Sequence, residues 1–318
     1  MIKIDIYDFI SRVSGNHAKN KSQKKYAFVW LFYPNHINTN KCNDYIYGCL
    51  INQKIISTQL IYMNLSDSID TIILTPKFID SHLNDMIEKV FDVHVTYEKS
   101  IHMDFVSESE KYWSEDEKRW NGVLNKLFIF HPDLFGCYDK IMFLDADTII
   151  KKPHEFIKLF ESTCTPAGVY EYSCRCPTNQ KITHLVHQKF KDNQIIPKKF
   201  CVAGTKFYHS INASLLLVKA NEKDYTKICQ EINKNTFYKN YPQFKNHILY
   251  FPEQEYLTNF YAGLWHSIPH KFLLTAESDM HLPGKFWEST IFDRRIGIPS
   301  EFCHYFVKDS SYLPVQNN

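Results

Sequence analysis

Glycine is scarce in this chain: its 318 residues include 9 glycines, against 20 tyrosines and 24 phenylalanines. A chain with so little glycine cannot depend on the glycine-rich loops that cradle phosphates in many nucleotide-binding proteins. An excess of one charge is lacking as well, because 37 basic residues nearly balance 35 acidic ones and leave a net charge of +2. Broad nucleic-acid binding needs a strongly basic surface, so we expect no nucleic-acid partner.

Long apolar runs and regular cysteine spacings are also missing. No segment comes near the ~20 apolar residues that a membrane-spanning helix needs. Acidic residues interrupt the apolar start of the chain, which is not typical of a secretory signal. The 9 cysteines are odd in number and scattered, so they do not indicate a disulfide framework. We therefore expect a cytoplasmic protein in a reducing compartment, without a membrane span.

What is present is an ordinary globular composition, with 44% hydrophobic and 23% charged residues. This composition excludes disorder for the chain as a whole. Residues 1–24 are predicted to form an N-terminal extension with a short helix over Lys3–Val13, and residues 25–318 to form one domain. The first half of that domain, 25–150, is regular in pattern, whereas prolines interrupt the second half, 151–318.

The apolar pattern of the first half predicts a parallel α/β sheet. Apolar runs predict buried strands at Tyr26–Phe32 and Asp70–Thr75, and Val93–Tyr97 is predicted to form a third strand. Lys140–Ile150 is predicted to form the fourth strand and its exit. Helical spacing predicts helices at Asp44–Ile56, at Ser81–Phe91 with Ser81 as N-cap, and at Trp120–Phe130. In the second half, the same criteria predict a strand at Ala213–Val218 and helices at Asp224–Asn233 and Gln254–Ala262. Strands that alternate with helices through short connections are typical of a parallel sheet with helices on its faces.

Two acids, Asp145 and Asp147, directly follow the apolar strand residues 141–144. Parallel α/β sheets bind ligands outside the carboxyl ends of their strands, so both acids lie where a site is expected. Residues two apart in an extended chain point the same way, and two carboxylates that face the same space repel unless a cation lies between them. The pattern predicts Mg²⁺ or Mn²⁺. The alternative is a strand-end turn with two solvated acids.

Two classes of enzyme place Asp-x-Asp after a buried strand. In haloacid-dehalogenase-like phosphatases the first acid, here Asp145, would be the nucleophile. Thr148 comes one position before the threonine of that motif, and three predicted strands precede the acids instead of following them. The phosphatase is therefore the lesser alternative.

The second class is the nucleotide-sugar glycosyltransferases, and here residues 26–312 resemble glycosyltransferase family 8, the glycogenin-like, metal-dependent, retaining group. The clearest match is Phe143–Thr148, which has Phe-Leu-Asp-Ala-Asp-Thr where the family has Phe-Met-Asp-Ala-Asp-Thr. Ile211–Leu217 resembles the family's Phe-Asn-Ser-Gly-Val strand. Other segments resemble family motifs in the same order: Tyr26–Leu31, Tyr45–Gly48, Asn125–Leu127, Pro252–Asn259, Trp265–Pro269 and Cys303–Phe306.

The resemblance implies a GT-A-type α/β fold, with a mainly parallel, Rossmann-like central sheet flanked by helices and a merged acceptor-binding region. Residues 25–150 would bind the nucleotide sugar, and residues 151–318 would form the acceptor and catalytic half. The implied reaction moves a hexose, with retention, from a UDP-sugar such as UDP-glucose to a glycan or protein acceptor, with Mn²⁺ or, in its place, Mg²⁺. The donor sugar, the acceptor, the oligomeric state and the mechanism of retention stay open.

The same resemblance assigns roles to individual residues. Asp145, Asp147 and His304 would bind the metal ion. Lys126, Glu253 and Gln254 would be catalytic, with Lys126 neutralising the departing diphosphate. Glu253 would either stabilise the developing positive charge on the sugar or bind sugar hydroxyls. The implied donor-binding residues are Leu31, Tyr45, Lys126, Asp145, Ala146, Asp147, Asn212, Gln254 and Lys308.

The final family motif is altered in this chain. Val307, Ser310 and Tyr312 take the places of its glycine, lysine and tryptophan. The lysine of that motif contacts the diphosphate in the family. The alternative function is therefore a catalytically weakened family member that serves as a carbohydrate- or protein-binding module.

Overall fold

The computed structural model of the chain describes residues 10–15, 24–33, 39–101, 117–146, 148–173, 190–201, 208–231, 234–242, 244, 252–273 and 291–293. Its strands are β1 (Ile10–Gly15), β2 (Tyr26–Leu31), β3 (Ile69–Pro76), β4 (Val93–Tyr97), β5 (Lys140–Leu144), β6 (Thr148–Ile150), β7 (Ala167–Ser173), β8 (Tyr208–Val218), β9 (His266–Ile268) and β10 (Ile291–Asp293). Its α-helices are α1 (Thr39–Tyr62), α2 (Ser81–Val90), α3 (Pro132–Phe135), α4 (Pro153–Ser162), α5 (Glu222–Glu231), α6 (Lys234–Asn240) and α7 (Pro252–Phe260). Helices of the 3₁₀ type span Glu117–Phe130, Lys198–Phe200 and His270–Phe272.

Eight of these strands form one sheet in the order β1-β4-β3-β2-β5-β8-β7-β9, and β6 pairs with β10 in a separate antiparallel ribbon. Strands β2 to β5 run parallel to one another, whereas β1 and β8 are antiparallel to their neighbours. The chain moves outward from β2 through β3 to β4 and then returns to the other side of β2 as β5. The strand order therefore reverses between β2 and β5, and ligands of α/β sheets bind at the carboxyl side of such a reversal.

Successive residues of the central strands pack on opposite faces of the sheet. In β2, Val29 and Leu31 join a core that includes residues of the 3₁₀ helix Glu117–Phe130, α5 and α7. Phe28 and Trp30 join a second core formed with α1, α2 and α4. The strands are thus covered on both faces, which explains their continuous apolar sequences. The predicted α/β fold, with a mainly parallel central sheet between layers of helices, is confirmed.

The start of the described chain differs from its prediction. The expected helix over Lys3–Val13 is wrong for the residues described, because Ile10–Gly15 forms β1 and pairs antiparallel with β4. Pairing with the open edge of β4 satisfies backbone groups that a short isolated helix would satisfy less well, and such tertiary context overrides a weak local preference.

Several other boundaries also differ from their predictions. The N-cap of α2 is Asp80 and not Ser81, since the Asp80 carboxylate accepts hydrogen bonds from the backbone N–H groups of His82 and Leu83 at 2.9 and 3.4 Å. The predicted helix Trp120–Phe130 begins at Glu117 and is of the 3₁₀ type. The segment Lys140–Ile150, predicted as a strand and its exit, forms the two strands β5 and β6. Within the described ranges, no helix is long and apolar enough to cross a membrane.

Candidate active site

Asp145 lies at the carboxyl end of β5, where the strand order of the sheet reverses. Asp145 is one residue beyond the end of β5, and its backbone N–H donates a hydrogen bond to the carbonyl oxygen of Ser214 in β8 at 3.0 Å. The side chain of Asp145 is 23% exposed, so its carboxylate is reachable from solvent. The first predicted acid therefore occupies the position that the sequence assigned to it.

A buried cation holds this acid. Lys126, which the 3₁₀ helix Glu117–Phe130 brings beneath the end of β5, is 3% exposed. Its Nζ lies 2.8 Å from Oδ1 of Asp145 and 3.0 Å from Oε1 of Glu253, and it donates to the carbonyl oxygen of Ala213 at 3.4 Å. The Lys126 ammonium also lies over the ring of Phe143, with Nζ 5.4 Å from the ring centroid. We call Lys126, Asp145 and Glu253 the Lys126 cluster.

The electrostatics of the Lys126 cluster keep the lysine charged. Burial by itself lowers the pKa of Lys126, but the attractions of Asp145 and Glu253 and their hydrogen bonds outweigh it, and the pKa is raised above the ordinary lysine value. With both carboxylates ionised, the cluster has one more negative charge than positive charge. A further cation on the solvent-facing side of Asp145 would offset this excess negative charge.

Ser214 orients the Asp145 carboxylate, and sequence reasoning did not single it out. Its hydroxyl donates to Oδ2 of Asp145 at 2.7 Å, while Nζ of Lys126 lies 2.8 Å from Oδ1 and donates to Oδ2 at 3.1 Å. The resemblance of Ile211–Leu217 to the family's Phe-Asn-Ser-Gly-Val could have identified this residue, because Ser214 occupies the position of the family's glycine. A hydroxyl at that position gives this chain a contact to Asp145 that a glycine cannot make.

Helix α7 supplies Glu253 and Gln254 from its first turn. Glu253 reaches Lys126, as described above. The Gln254 side chain accepts from the backbone N–H of Ala213 at 3.0 Å and donates to the Ser210 hydroxyl at 2.8 Å. Asn212, also predicted to bind the donor, accepts from the backbone N–H of Ser214 at 2.8 Å. Gln254 therefore fastens α7 to β8, and this attachment sets the position of Glu253.

The other predicted donor-binding residues in the described ranges lie around the same end of the sheet. Leu31 ends β2 and Ala146 follows Asp145; both are buried, in opposite cores. Tyr45 lies near the start of α1, half-buried against the core that contains Ala146. The structure thus brings Lys126, Asp145 and Glu253 into direct contact and leaves Leu31, Ala146 and Tyr45 as surrounding positions.

The remaining predicted residues, Asp147, His304 and Lys308, lie outside the described residues. Among the residues that are described, no group of three histidine, cysteine or acidic side chains forms a metal site. Asp145 alone nevertheless fits the predicted role: a carboxylate has about four acceptor positions, and Lys126 and Ser214 leave part of that capacity at its exposed side. A hard cation that prefers oxygen ligands is compatible with this carboxylate.

Comparisons with known proteins complete the description of the site. No protein-family model matches the chain. An uncharacterized protein of Acanthamoeba polyphaga mimivirus is 27% identical over 247 residues, which are 78% of this chain and 71% of that protein. Among solved structures, the chain is similar to the galactosyltransferase LgtC in complex with donor and acceptor sugar analogs, with 11% identity, 92% and 98% of the two chains covered and a TM-score of 0.47. It is also similar to mouse xyloside xylosyltransferase 1, with 9% identity, coverage of 86% and 100% and a TM-score of 0.41.

Proposed function

We propose that this protein is a retaining glycosyltransferase of GT-A type, which moves a hexose from a UDP-sugar, such as UDP-glucose, to a glycan or protein acceptor and depends on Mn²⁺. The observation that carries the proposal is the Lys126 cluster: a buried ammonium bound to two carboxylates at the point where the strand order reverses. With a divalent cation beside Asp145, the position and charges of the cluster would suit the transfer of a group away from an anionic diphosphate.

Lys126 would stabilise the leaving group. As the bond between the sugar and the diphosphate breaks, negative charge grows on the diphosphate, and a cation already fixed nearby stabilises that charge without reorganising. Lys126 is fixed by three acceptors and remains protonated, because Asp145 and Glu253 raise its pKa despite burial. Bound Mn²⁺, held by Asp145, Asp147 and His304, would supply Lewis-acid stabilisation of the same charge.

Glu253 would serve the sugar side of the reaction. Its carboxylate is buried and 3.0 Å from Lys126, and α7 is fastened to β8 through Gln254. A fixed carboxylate beside the donor stabilises positive charge on the anomeric carbon, and it is also the group that a double-displacement mechanism needs. Gln254 then acts by holding Glu253 in place.

The direct test is to incubate the purified protein with a panel of nucleotide sugars and Mn²⁺ and to measure nucleotide release, with Lys126→Ala as the variant for comparison. We expect UDP release from one donor by the wild type. If Lys126 acts mainly in the transition state, the variant lowers kcat more than it raises KM for the donor. Donor binding without turnover would favour the binding module instead. Phosphate release from small esters, without a nucleotide sugar, would favour the phosphatase.

A further inference from the structure

Asn52 is a fully buried side chain of α1 that binds the backbone just after the two acids. Its Nδ2 donates to the carbonyl oxygen of Thr148 at 2.7 Å, and its Oδ1 accepts from the backbone N–H of Ile150 at 3.1 Å. In an extended chain, the carbonyl of one residue and the N–H two residues later point to the same edge. The Asn52 amide therefore pairs with β6 as one residue of a neighbouring strand would.

The contacts continue from β6 to the predicted metal ligand. Thr148 donates to the carbonyl oxygen of Asp145 from its hydroxyl at 2.7 Å and from its backbone N–H at 3.3 Å. Asp145 is in turn held at its carboxylate by Lys126 and Ser214. The connection 145–148, which contains both acids in sequence, is thus fixed at its start by the cluster and at its end by Asn52.

We propose that Asn52 is a positioning residue for the acidic connection 145–148 and thereby sets the affinity of the protein for Mn²⁺. This inference rests on the proposed function, since it assumes that Asp145 and Asp147 hold the metal. Metal ligands bind tightly only when groups behind them fix their direction, and loss of such supporting groups commonly weakens metal binding about 10- to 100-fold. Within the described ranges, Asn52 hydrogen-bonds the backbone of Thr148 and Ile150, whereas Lys126 and Ser214 hold the Asp145 carboxylate, so Asn52 acts through β6.

The neighbouring residue Gln53 provides a matched control. It is also a buried amide on α1, but its Nε2 donates to the Thr71 hydroxyl in β3 at 3.3 Å, away from the connection 145–148. Asn52→Ala and Gln53→Ala each remove one buried amide from the same helix. A general loss of helix packing would affect both variants alike, whereas a positioning role predicts an effect on metal binding for Asn52→Ala alone.

The experiment is a calorimetric titration of the metal-stripped full chain with Mn²⁺, accompanied by thermal unfolding of each variant without metal. We expect Asn52→Ala to raise the Kd for Mn²⁺ about tenfold or more, and Gln53→Ala to leave it unchanged. Thr148→Val, which removes the hydroxyl contact to Asp145 while keeping the side chain's size, should weaken Mn²⁺ binding in the same direction.

The outcomes separate this inference from the proposed function. A wild type that binds no Mn²⁺ and releases no UDP overturns both. A wild type that binds Mn²⁺, with Asn52→Ala binding equally well, overturns the positioning role and leaves the glycosyltransferase proposal standing. If Asn52→Ala does not fold, Thr148→Val serves as the test. An unchanged Kd for Mn²⁺ in that folded variant then overturns the inference.

Discussion

Replacing Lys126 by methionine keeps most of the length of the side chain but removes its charge from the Lys126 cluster. The substitution leaves two carboxylates near each other without the ammonium that joins them. They differ in exposure: the Glu253 side chain is 8% exposed, whereas that of Asp145 is 23% exposed and can be hydrated in part. The cost therefore arises mainly at Glu253, where water cannot replace the lost partner.

The size of the effect follows from the burial of this pair. Removing one partner of a buried ion pair costs about 3–5 kcal/mol, and the partial hydration of Asp145 places Lys126→Met near the lower end. With 318 residues and about 2.1 cal/mol/K of unfolding entropy per residue, a loss of about 3 kcal/mol lowers Tm by about 4–5 °C. The double variant Lys126→Met/Glu253→Gln should recover more than half of that loss, because a neutral amide replaces the buried carboxylate.

Thermal unfolding measured by circular dichroism tests this expectation. Lys152→Met is the matched control, since Lys152 is 42% exposed and its ion pair with Glu155 is 4.0 Å long. Exposed pairs contribute about 0–1 kcal/mol, so the control should keep Tm within about 1 °C of the wild type. A Tm for Lys126→Met as high as that of the control, or a double variant no more stable than the single one, would refute the reasoning.

Three further predictions concern the metal, a buried acid and the acceptor. UDP should bind more tightly in the presence of Mn²⁺ than in the presence of a chelator, and Asp147→Asn should abolish that difference. Equal UDP affinities of the wild type under the two conditions, measured by calorimetry, would contradict the role of the metal. Glu231→Gln should destabilise the fold by about 1–3 kcal/mol, more than the exposed Glu222→Gln, because an amide keeps only one acceptor oxygen. Both oxygens of the fully buried Glu231 accept hydrogen bonds, from Nδ2 of Asn240 at 2.7 Å and from the Tyr256 hydroxyl at 2.9 Å. Equal Tm values for the two variants count against this prediction. Residues 270–303 contain no tyrosine, so intact-mass spectrometry after incubation with donor and Mn²⁺ should show no hexose on the chain itself, and stepwise additions would disprove a separate acceptor.

Several elements were predictable because their causes are local. Tyr26–Leu31 is apolar at every position and forms a strand buried along its whole length, and Val93–Tyr97 forms a strand with the predicted bounds. A strand covered on both faces needs side chains that can be buried on both sides, and the consecutive apolar residues of Tyr26–Leu31 meet this requirement directly. Val93–Tyr97 has apolar residues at alternate positions, with the polar side chains of His94 and Thr96 buried between them. The place of Asp145 followed from the same logic, because it comes directly after such a strand.

The edge of the sheet was not predictable in this way. Ile10–Gly15 forms a strand because β4 offers it an edge, and no residue within the segment specifies that partner. The second strand within Lys140–Ile150, β6, also depends on tertiary contacts, since Asn52 binds it from 96 residues away. Pairing across such distances depends on how helices and strands cross and leaves no local pattern.

The sequence by itself determined the α/β class, the central strands and the position of the first acid after β5, since each depends on a short run of residues. Only the tertiary structure decided how that acid is held. Lys126 meets Glu253 across 127 residues, and Ser214 reaches Asp145 across 69. These contacts exist because the 3₁₀ helix Glu117–Phe130, α7 and β8 converge on the end of β5, and the physical reason is that burial forces each charged group to find a partner wherever the fold provides one.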